Sequence, residues 1–217
     1  MPSVVDFSGV IALRGQYPVL AGLDLCVEQG EIVLLRGPNG AGKTSLLRVC
    51  SGLLSIASGK ASVLGYDLLA SNQEVRKHIG FVAHQNHLYS DLWVRDQLSF
   101  RALAARADDG DIRSICDRME ISERLLQLPT ESLSAGQQRR VAIAAVALRR
   151  PRLWLLDEPH AGLDSEGRDL LDSLLQDAAK AGATIVFASH EINRAEKIAT
   201  RSISILGGQV VGGTNVS

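Results

Sequence analysis

Ile32-Val33-Leu34-Leu35-Arg36-Gly37-Pro38-Asn39-Gly40-Ala41-Gly42-Lys43-Thr44-Ser45 is the stretch whose reading decides the fold. Ile32 to Leu35 is a short unbroken apolar run, the pattern of a strand buried on both faces. Gly37 to Thr44 fits G-x-x-x-x-G-K-[ST]. Glycines let such a backbone curl until several N–H groups converge on phosphate oxygens. Thr44 to Gly52 predicts a helix closed by Gly52, offering its positive N-terminus to the same anion. Lys43 supplies a cation for β- and γ-phosphates, and the Thr44 hydroxyl is a ligand for Mg²⁺. Gly37, Pro38, Asn39, Gly40, Ala41, Gly42, Lys43, Thr44 and Ser45 are therefore candidate ATP-binding positions. By itself the loop specifies only a nucleoside triphosphate site, which kinases, GTPases and helicases share.

Working outward, Leu23, Leu25 and Val27 alternate onto one strand face before Glu28-Gln29-Gly30 turns the chain. Downstream, Ile79 to Ala83 reads as another buried strand. Val94 to about Glu123 is helical, with Leu98, Ala102 and Ala105 near one face and a break expected at Asp108-Asp109-Gly110. Gln137 to Leu148 is a further helix, ended before Pro151. Strands and helices then alternate: Leu153–Leu156, a helix over Glu166–Lys180, Thr184–Ala188, a short helix after His190, and Ser202–Leu206. This order predicts an α/β domain with a largely parallel sheet. The helical interruption predicts a single domain over 1–217, with a core of about 1–85 and 151–217 and an inserted lobe of about 86–150. The last strands leave no room for an added regulatory domain.

Composition narrows the function. The chain has 217 residues, 46% hydrophobic and 22% charged, with a net charge of −1 that gives no electrostatic reason to expect nucleic acid. Cys26, Cys50 and Cys116 are scattered and form no C-x-x-C pair, which suits small buried hydrophobes in a reducing compartment. No leader pattern opens the sequence, and the longest apolar run, Val141 to Leu148, is too short to span a bilayer. If this protein moves something through a membrane, another chain must supply the path.

Leu153-Trp154-Leu155-Leu156-Asp157-Glu158 is an apolar strand ending in carboxylates. Its carboxyl end can hold Asp157 near bound Mg²⁺. Glu158, one residue further, is placed to orient and polarise an attacking water.

Leu133-Ser134-Ala135-Gly136-Gln137 resembles the signature motif of ABC ATPases, L-S-G-G-Q, and lies shortly before the acidic strand as in that family. Gln138-Arg139-Arg140-Val141-Ala142-Ile143-Ala144 continues the likeness. Gln85 matches the family's Q-loop, Ala161-Gly162-Leu163-Asp164 its D-loop, and His190 its switch histidine, all in the family's order. The resemblance covers nearly the whole chain. It implies a P-loop NTPase core of the ABC type, with an N-terminal antiparallel β portion, a mostly parallel sheet and a helical lobe.

The resemblance also implies an ATP-hydrolysing subunit that packs head to tail with a second ATPase subunit around two ATP molecules. Ser134, Ala135, Gly136 and Gln137 of one subunit would meet the γ-phosphate held at Lys43 of the other. Glu158, His190 and Gln85 would be catalytic; Thr44, Gln85 and Asp157 would hold Mg²⁺; Asp164 would couple the sites. A separate integral-membrane subunit would be the partner, placing the chain peripherally on the cytoplasmic face of the membrane, with no nucleic acid. Three departures stand out: Ala135 replaces a glycine, Ala161 replaces the usual D-loop serine, and no clear aromatic occupies the adenine-stacking position. Arg14 and Tyr17 are the candidates there, since a guanidinium also stacks.

Ser134 to Val141, Arg152-Leu153-Trp154 and the missing adenine aromatic resemble the haem-exporter ATPases of cytochrome c biogenesis. The other readings are the ATPase of another small ABC exporter and a soluble ABC ATPase acting on nucleic acid or ribosomes. The latter usually carry coiled-coil or zinc insertions that are absent from this sequence. His84 and His87 beside Gln85 read as loop decoration rather than a haem or metal pair. Leu88, Tyr89, Leu92 and Trp93 read either as a partner groove or as core of the helical lobe.

Overall fold

The computed structural model describes residues 3–70 and 72–216. The chain runs β1 (Ser3–Arg14), β2 (Tyr17–Glu28), β3 (Ile32–Arg36), α1 (Lys43–Cys50), β4 (Ile56–Val63), β5 (Tyr66–Asp67), α2 (Asn72–Arg76) and β6 (Ile79–Val82). Then come α3 (Val94–Ala105), α4 (Asp109–Arg118), α5 (Glu123–Leu126), a 3₁₀ turn at Thr130–Ser132 and α6 (Ala135–Ala147). The rest is β7 (Leu153–Asp157), α7 (Ser165–Lys180), β8 (Thr184–Ala188), α8 (Ile192–Ile198), β9 (Arg201–Leu206) and β10 (Gln209–Asn215).

Two sheets result. The first is antiparallel, in the order β2-β1-β4-β5. The second has the order β10-β9-β3-β8-β7-β6; β9, β3, β8, β7 and β6 run parallel and β10 closes the edge antiparallel. Strands β7 and β8 are buried along their whole length, which explains their unbroken apolar sequence.

The strand period of two sorts these side chains between two cores. Val33 and Leu35 of β3, Leu153 and Leu155 of β7, and Val186 and Ala188 of β8 face the first sheet and α1. Their neighbours Leu34, Trp154, Leu156, Ile185 and Phe187 face the second core, shared with α3, α4, α6, α7 and α8. The parallel sheet is thus the middle layer, and the lobe inserted between β6 and β7 packs on one of its faces. Arg118 of α4 reaches Asp177 of α7 at 2.5 Å, and Arg140 of α6 reaches Asp164 at 2.9 Å, tying lobe to core.

Two expectations need correction. The lobe stretch does divide into two helices, but earlier than expected: α3 closes at Ala105 with Arg106, φ +57°, as its cap, and Asp108 starts α4 rather than interrupting it. The Asp108 side chain accepts the Asp111 N–H at 2.9 Å, and Asp111 accepts the Asp108 N–H at 3.2 Å, a reciprocal cap that places Gly110 inside the helix. Cys50 and Cys116 are buried, but Cys26 is exposed. It shares the outward face of β2 with Asp24 and Glu28, alternating with buried Leu23, Leu25 and Val27. Among the described residues no helix is long and apolar enough to cross a membrane.

Candidate nucleotide site

Because β3, β8 and β7 are parallel neighbours, their carboxyl ends lie side by side: Ala188 pairs with Leu35 on one flank and with Asp157 on the other. The loops that follow therefore converge at one end of the sheet, the usual ligand position in such folds. They enclose a cleft of about 640 Å³ lined by Arg14, Asn39 to Ser45, His84, Asp157, Glu158 and His190, with Val19, Leu53 and Leu54 as apolar wall.

The Gly37–Thr44 loop is curled by necessity. Gly42 has φ +111°, and a Cβ there would lie 2.8 Å from the Val19 carbonyl oxygen. Gly37 has φ +143°, and a Cβ would come within 2.2 Å of the Ile205 carbonyl oxygen. The N-cap of α1, Gly42, brings no side chain to the first-turn N–H groups, which remain available for an anion. Lys43 Nζ donates to the carbonyls of Gly37 at 2.7 Å and Pro38 at 3.0 Å, so the ammonium is held over the loop. Thr44 Oγ1 lies 3.1 and 3.0 Å from the two Asp157 carboxylate oxygens, to which it donates. A hydroxyl and a carboxylate joined beside a phosphate loop are hard oxygen donors, the set that fits Mg²⁺ held jointly with phosphates.

Glu158 takes the left-handed backbone, φ +51°, uncommon for a residue with a side chain. Its N–H donates to the Ala188 carbonyl at 3.0 Å. Its carboxylate accepts the His190 backbone N–H at 3.0 Å and lies 3.4 Å from the His190 Nε2.

The Leu133–Gln137 motif lies outside this cleft. Ser134 caps α6: its hydroxyl accepts the Gln137 N–H at 3.2 Å, and the Gln137 side chain accepts the Ser134 N–H at 2.9 Å. Ala135 sits inside the helix, where a methyl group is accommodated. Gly136 packs close on the next loop, since a Cβ there would lie 2.8 Å from the Gly162 carbonyl oxygen. Asp164 caps α7, accepting the Gly167 N–H at 2.8 Å and the Arg140 Nη2 at 2.9 Å; these hold its carboxyl below the usual carboxylate range. Burial works to lower the Arg140 pKa, but hydrogen bonds to Glu120 and Asp164 outweigh it and raise it.

Some expected residues are elsewhere. Gln85 is exposed and does not line the cleft; its neighbour His84, read from sequence as decoration, does. Tyr17 is 79% exposed and is not part of the cleft wall, whereas Arg14, its cross-strand partner, is. The hairpin turn between them projects the phenol into solvent. Leu88 packs against the lobe core, while Tyr89 and Trp93 are exposed, and Tyr89 meets exposed Phe100 edge to face.

Arg139 was missed. It is buried, and its guanidinium bonds backbone on both sides of the cleft floor. In sequence it is one of two adjacent arginines, with nothing to mark it as the buried one. A second cavity, of about 660 Å³, lies at the opposite ends of the strands, around Gln29, Arg152, Trp154 and Ala183, and includes none of the residues of the nucleotide cleft.

Residues 20–161 match the ABC transporter family. The chain is 35% identical over 215 residues to the glutamine transport ATP-binding protein GlnQ of Escherichia coli K12, covering 95% of this chain and 89% of that protein. It is 38% identical over 181 residues to the cytochrome c biogenesis ATP-binding export protein CcmA of Cupriavidus pinatubonensis, covering 82% and 80%. Among solved structures it superimposes, with a TM-score of 0.87 and 26% identity, on the dimeric post-hydrolysis state of the ATP-binding cassette MJ0796 bound to ADP and Pi, covering 98% of this chain and 99% of that one.

Proposed function

Because this chain belongs to the ABC transporter family, as an ATP-binding and ATP-hydrolysing subunit, we propose that it energises a haem-exporter-type complex serving cytochrome c maturation. The observation that carries the finer reading is the Ser134–Val141 stretch with Arg152-Leu153-Trp154, and the 38% identity to a CcmA protein supports it. Arg14 in the cleft wall, where the family's aromatic is lacking, is consistent with it. A second reading, the ATPase of an amino-acid transporter, is favoured by the GlnQ likeness over 95% of the chain.

The roles follow from the cleft. First-turn N–H groups of α1 and Lys43 bind the phosphates, and Arg14 stacks the base. Thr44 and Asp157 would hold Mg²⁺, which would supply positive charge to offset that of the bound phosphates. Glu158 takes a proton from the attacking water, oriented by the His190 N–H, and the His190 imidazole faces the γ-phosphate. Gln85, exposed here, reaches the cleft only if its loop moves when nucleotide is bound. A second copy supplies Ser134 and Gly136 across a head-to-tail interface. A membrane subunit, whose cytoplasmic face the chain occupies, docks on the exposed Tyr89–Trp93 surface.

Deletion of the protein from its host, followed by haem staining of c-type cytochromes, tests the finer reading. Loss of covalent haem, restored by wild type but not by Glu158→Gln, supports it. Intact cytochromes with impaired glutamine uptake transfer the assignment to the second reading.

A further inference from the structure

Arg139 is 1% exposed, among the largest fully buried side chains in the molecule. A guanidinium has five N–H donors and no acceptor. Here they meet five acceptors. Nε donates to the Pro159 carbonyl at 3.1 Å; Nη2 donates to the carbonyls of Asp157 at 3.1 Å and Glu158 at 2.6 Å. Nη1 donates to the Ala83 carbonyl at 2.6 Å and to Asn86 Oδ1 at 3.0 Å. No carboxylate is bonded to it. Burial pushes its pKa down to about 10, while the charges of Asp157 and Glu158 pull it up, so it remains a cation at neutral pH.

The acceptors are the informative part. Asp157, Glu158 and Pro159 are consecutive, and the middle one has the left-handed φ of +51°. A residue with a side chain stays in that region only where its surroundings over-determine it. The Glu158 N–H is fixed by Ala188, but the carbonyls on both sides of the strained residue and its own are fixed by Arg139. The remaining acceptors flank Gln85, and His87, next to Asn86, is also left-handed, with φ +48°.

We propose that Arg139 is the positioning residue of the hydrolytic centre: one guanidinium on the helix of the Leu133–Gln137 motif clamps the Asp157–Pro159 carbonyls and both ends of the Gln85 turn, and so sets where the Glu158 carboxylate points. The Arg139 donors are all directed at protein acceptors, and the side chain does not line the cleft. It acts through Glu158, and the inference rests on the role given to Glu158 above. Because α6 belongs to the lobe, the clamp also makes the aim of Glu158 depend on how the lobe is seated.

The test compares full-length wild type, Arg139→Lys and Glu158→Gln. Lysine keeps the charge but has a single nitrogen, which cannot span all five acceptors. For Arg139→Lys the expected result is ATP affinity within about twofold of wild type and kcat lower by about tenfold to a hundredfold, the scale of a small misplacement of a reacting group. Hydrogen exchange followed by mass spectrometry is expected to quicken over 83–88 and 157–162 and stay unchanged over α1. This readout needs no turnover. Unchanged exchange over both segments overturns the proposal, as does kcat within about twofold of wild type. Equal loss of ATP binding, turnover and protection everywhere also overturns it, making Arg139 simply structural. If Arg139→Lys does not fold, Arg139→Gln, which retains amide donors, is read by the same criteria. Normal turnover in Glu158→Gln would sink the assignment of Glu158; lost turnover there with a normal Arg139→Lys would sink only the clamp.

Discussion

Glu158 and His190 share one carboxylate: the His190 backbone N–H donates to one Glu158 oxygen at 3.0 Å, and its imidazole Nε2 lies 3.4 Å from the other. The backbone half of this contact does not depend on the side chain at 190. The imidazole half does. Substitutions at the two positions therefore separate the aim of the carboxylate from the chemistry around it.

Glu158→Gln keeps an oxygen that can accept the His190 N–H but removes the base. Phosphate release is expected to fall by about 10²–10⁴-fold, the contribution of a positioned general base, with ATP binding retained. Radiolabelled ATP hydrolysis beside equilibrium binding measures both, and unchanged turnover removes Glu158 from its role.

His190→Ala leaves the backbone bond in place. The imidazole is 59% exposed, so the melting temperature is expected to stay close to that of wild type. Turnover is expected to drop by about 10²–10³-fold through loss of one phosphate contact. A drop in melting temperature matching the loss of activity would assign the residue to folding instead.

Ser134 is exposed, and its hydroxyl oxygen is already engaged with the Gln137 N–H, which leaves the hydroxyl proton to donate outward. In the Glu158→Gln background, size-exclusion mass is expected to double with ATP and Mg²⁺ and to stay monomeric after a further Ser134→Arg change. A dimer that survives Ser134→Arg excludes this surface from the interface.

The cysteines give a check on the fold that needs no activity. Burial raises the Cys50 thiol to about 12 and the Cys116 thiol to about 11, the latter helped by Asp117 and Glu123. Both should resist maleimide in the native protein, while exposed Cys26 is labelled. The unfolded chain ionises these thiols near pH 9, before the folded one does. It then holds fewer protons, so their contribution to stability is intact below about pH 9 and is lost between about pH 9 and 12. Labelling counted by intact mass, and denaturant melts across that range, test the two parts.

Legibility in the sequence followed the range of the interactions. Ile32–Leu35, Leu153–Leu156 and Thr184–Ala188 were readable as buried strands because burial on both faces demands unbroken apolar runs. The glycine-rich loop after β3 was readable because its geometry admits glycine and little else at Gly37 and Gly42. The break between α3 and α4 was misplaced because Asp and Gly in sequence signal a loop, while Asp108 and Asp111 capping one another start a helix.

By itself, then, the order of residues determined the alternating α/β core, the run of helices between β6 and β7, the curled glycine-rich loop after β3 and the carboxylates at the end of β7. Each rests on a backbone requirement or a burial pattern carried within a few neighbouring residues. Only the tertiary structure decided that His84 and not Gln85 lines the cleft, that Arg14 and not Tyr17 faces it, and that Arg139 and not Arg140 is buried beneath it. Such choices between adjacent or paired residues of equal local propensity depend on which side chain points at segments distant in the chain. For Arg139 those are Ala83 and Asn86 on one side and Asp157 to Pro159 on the other, and only packing brings them together.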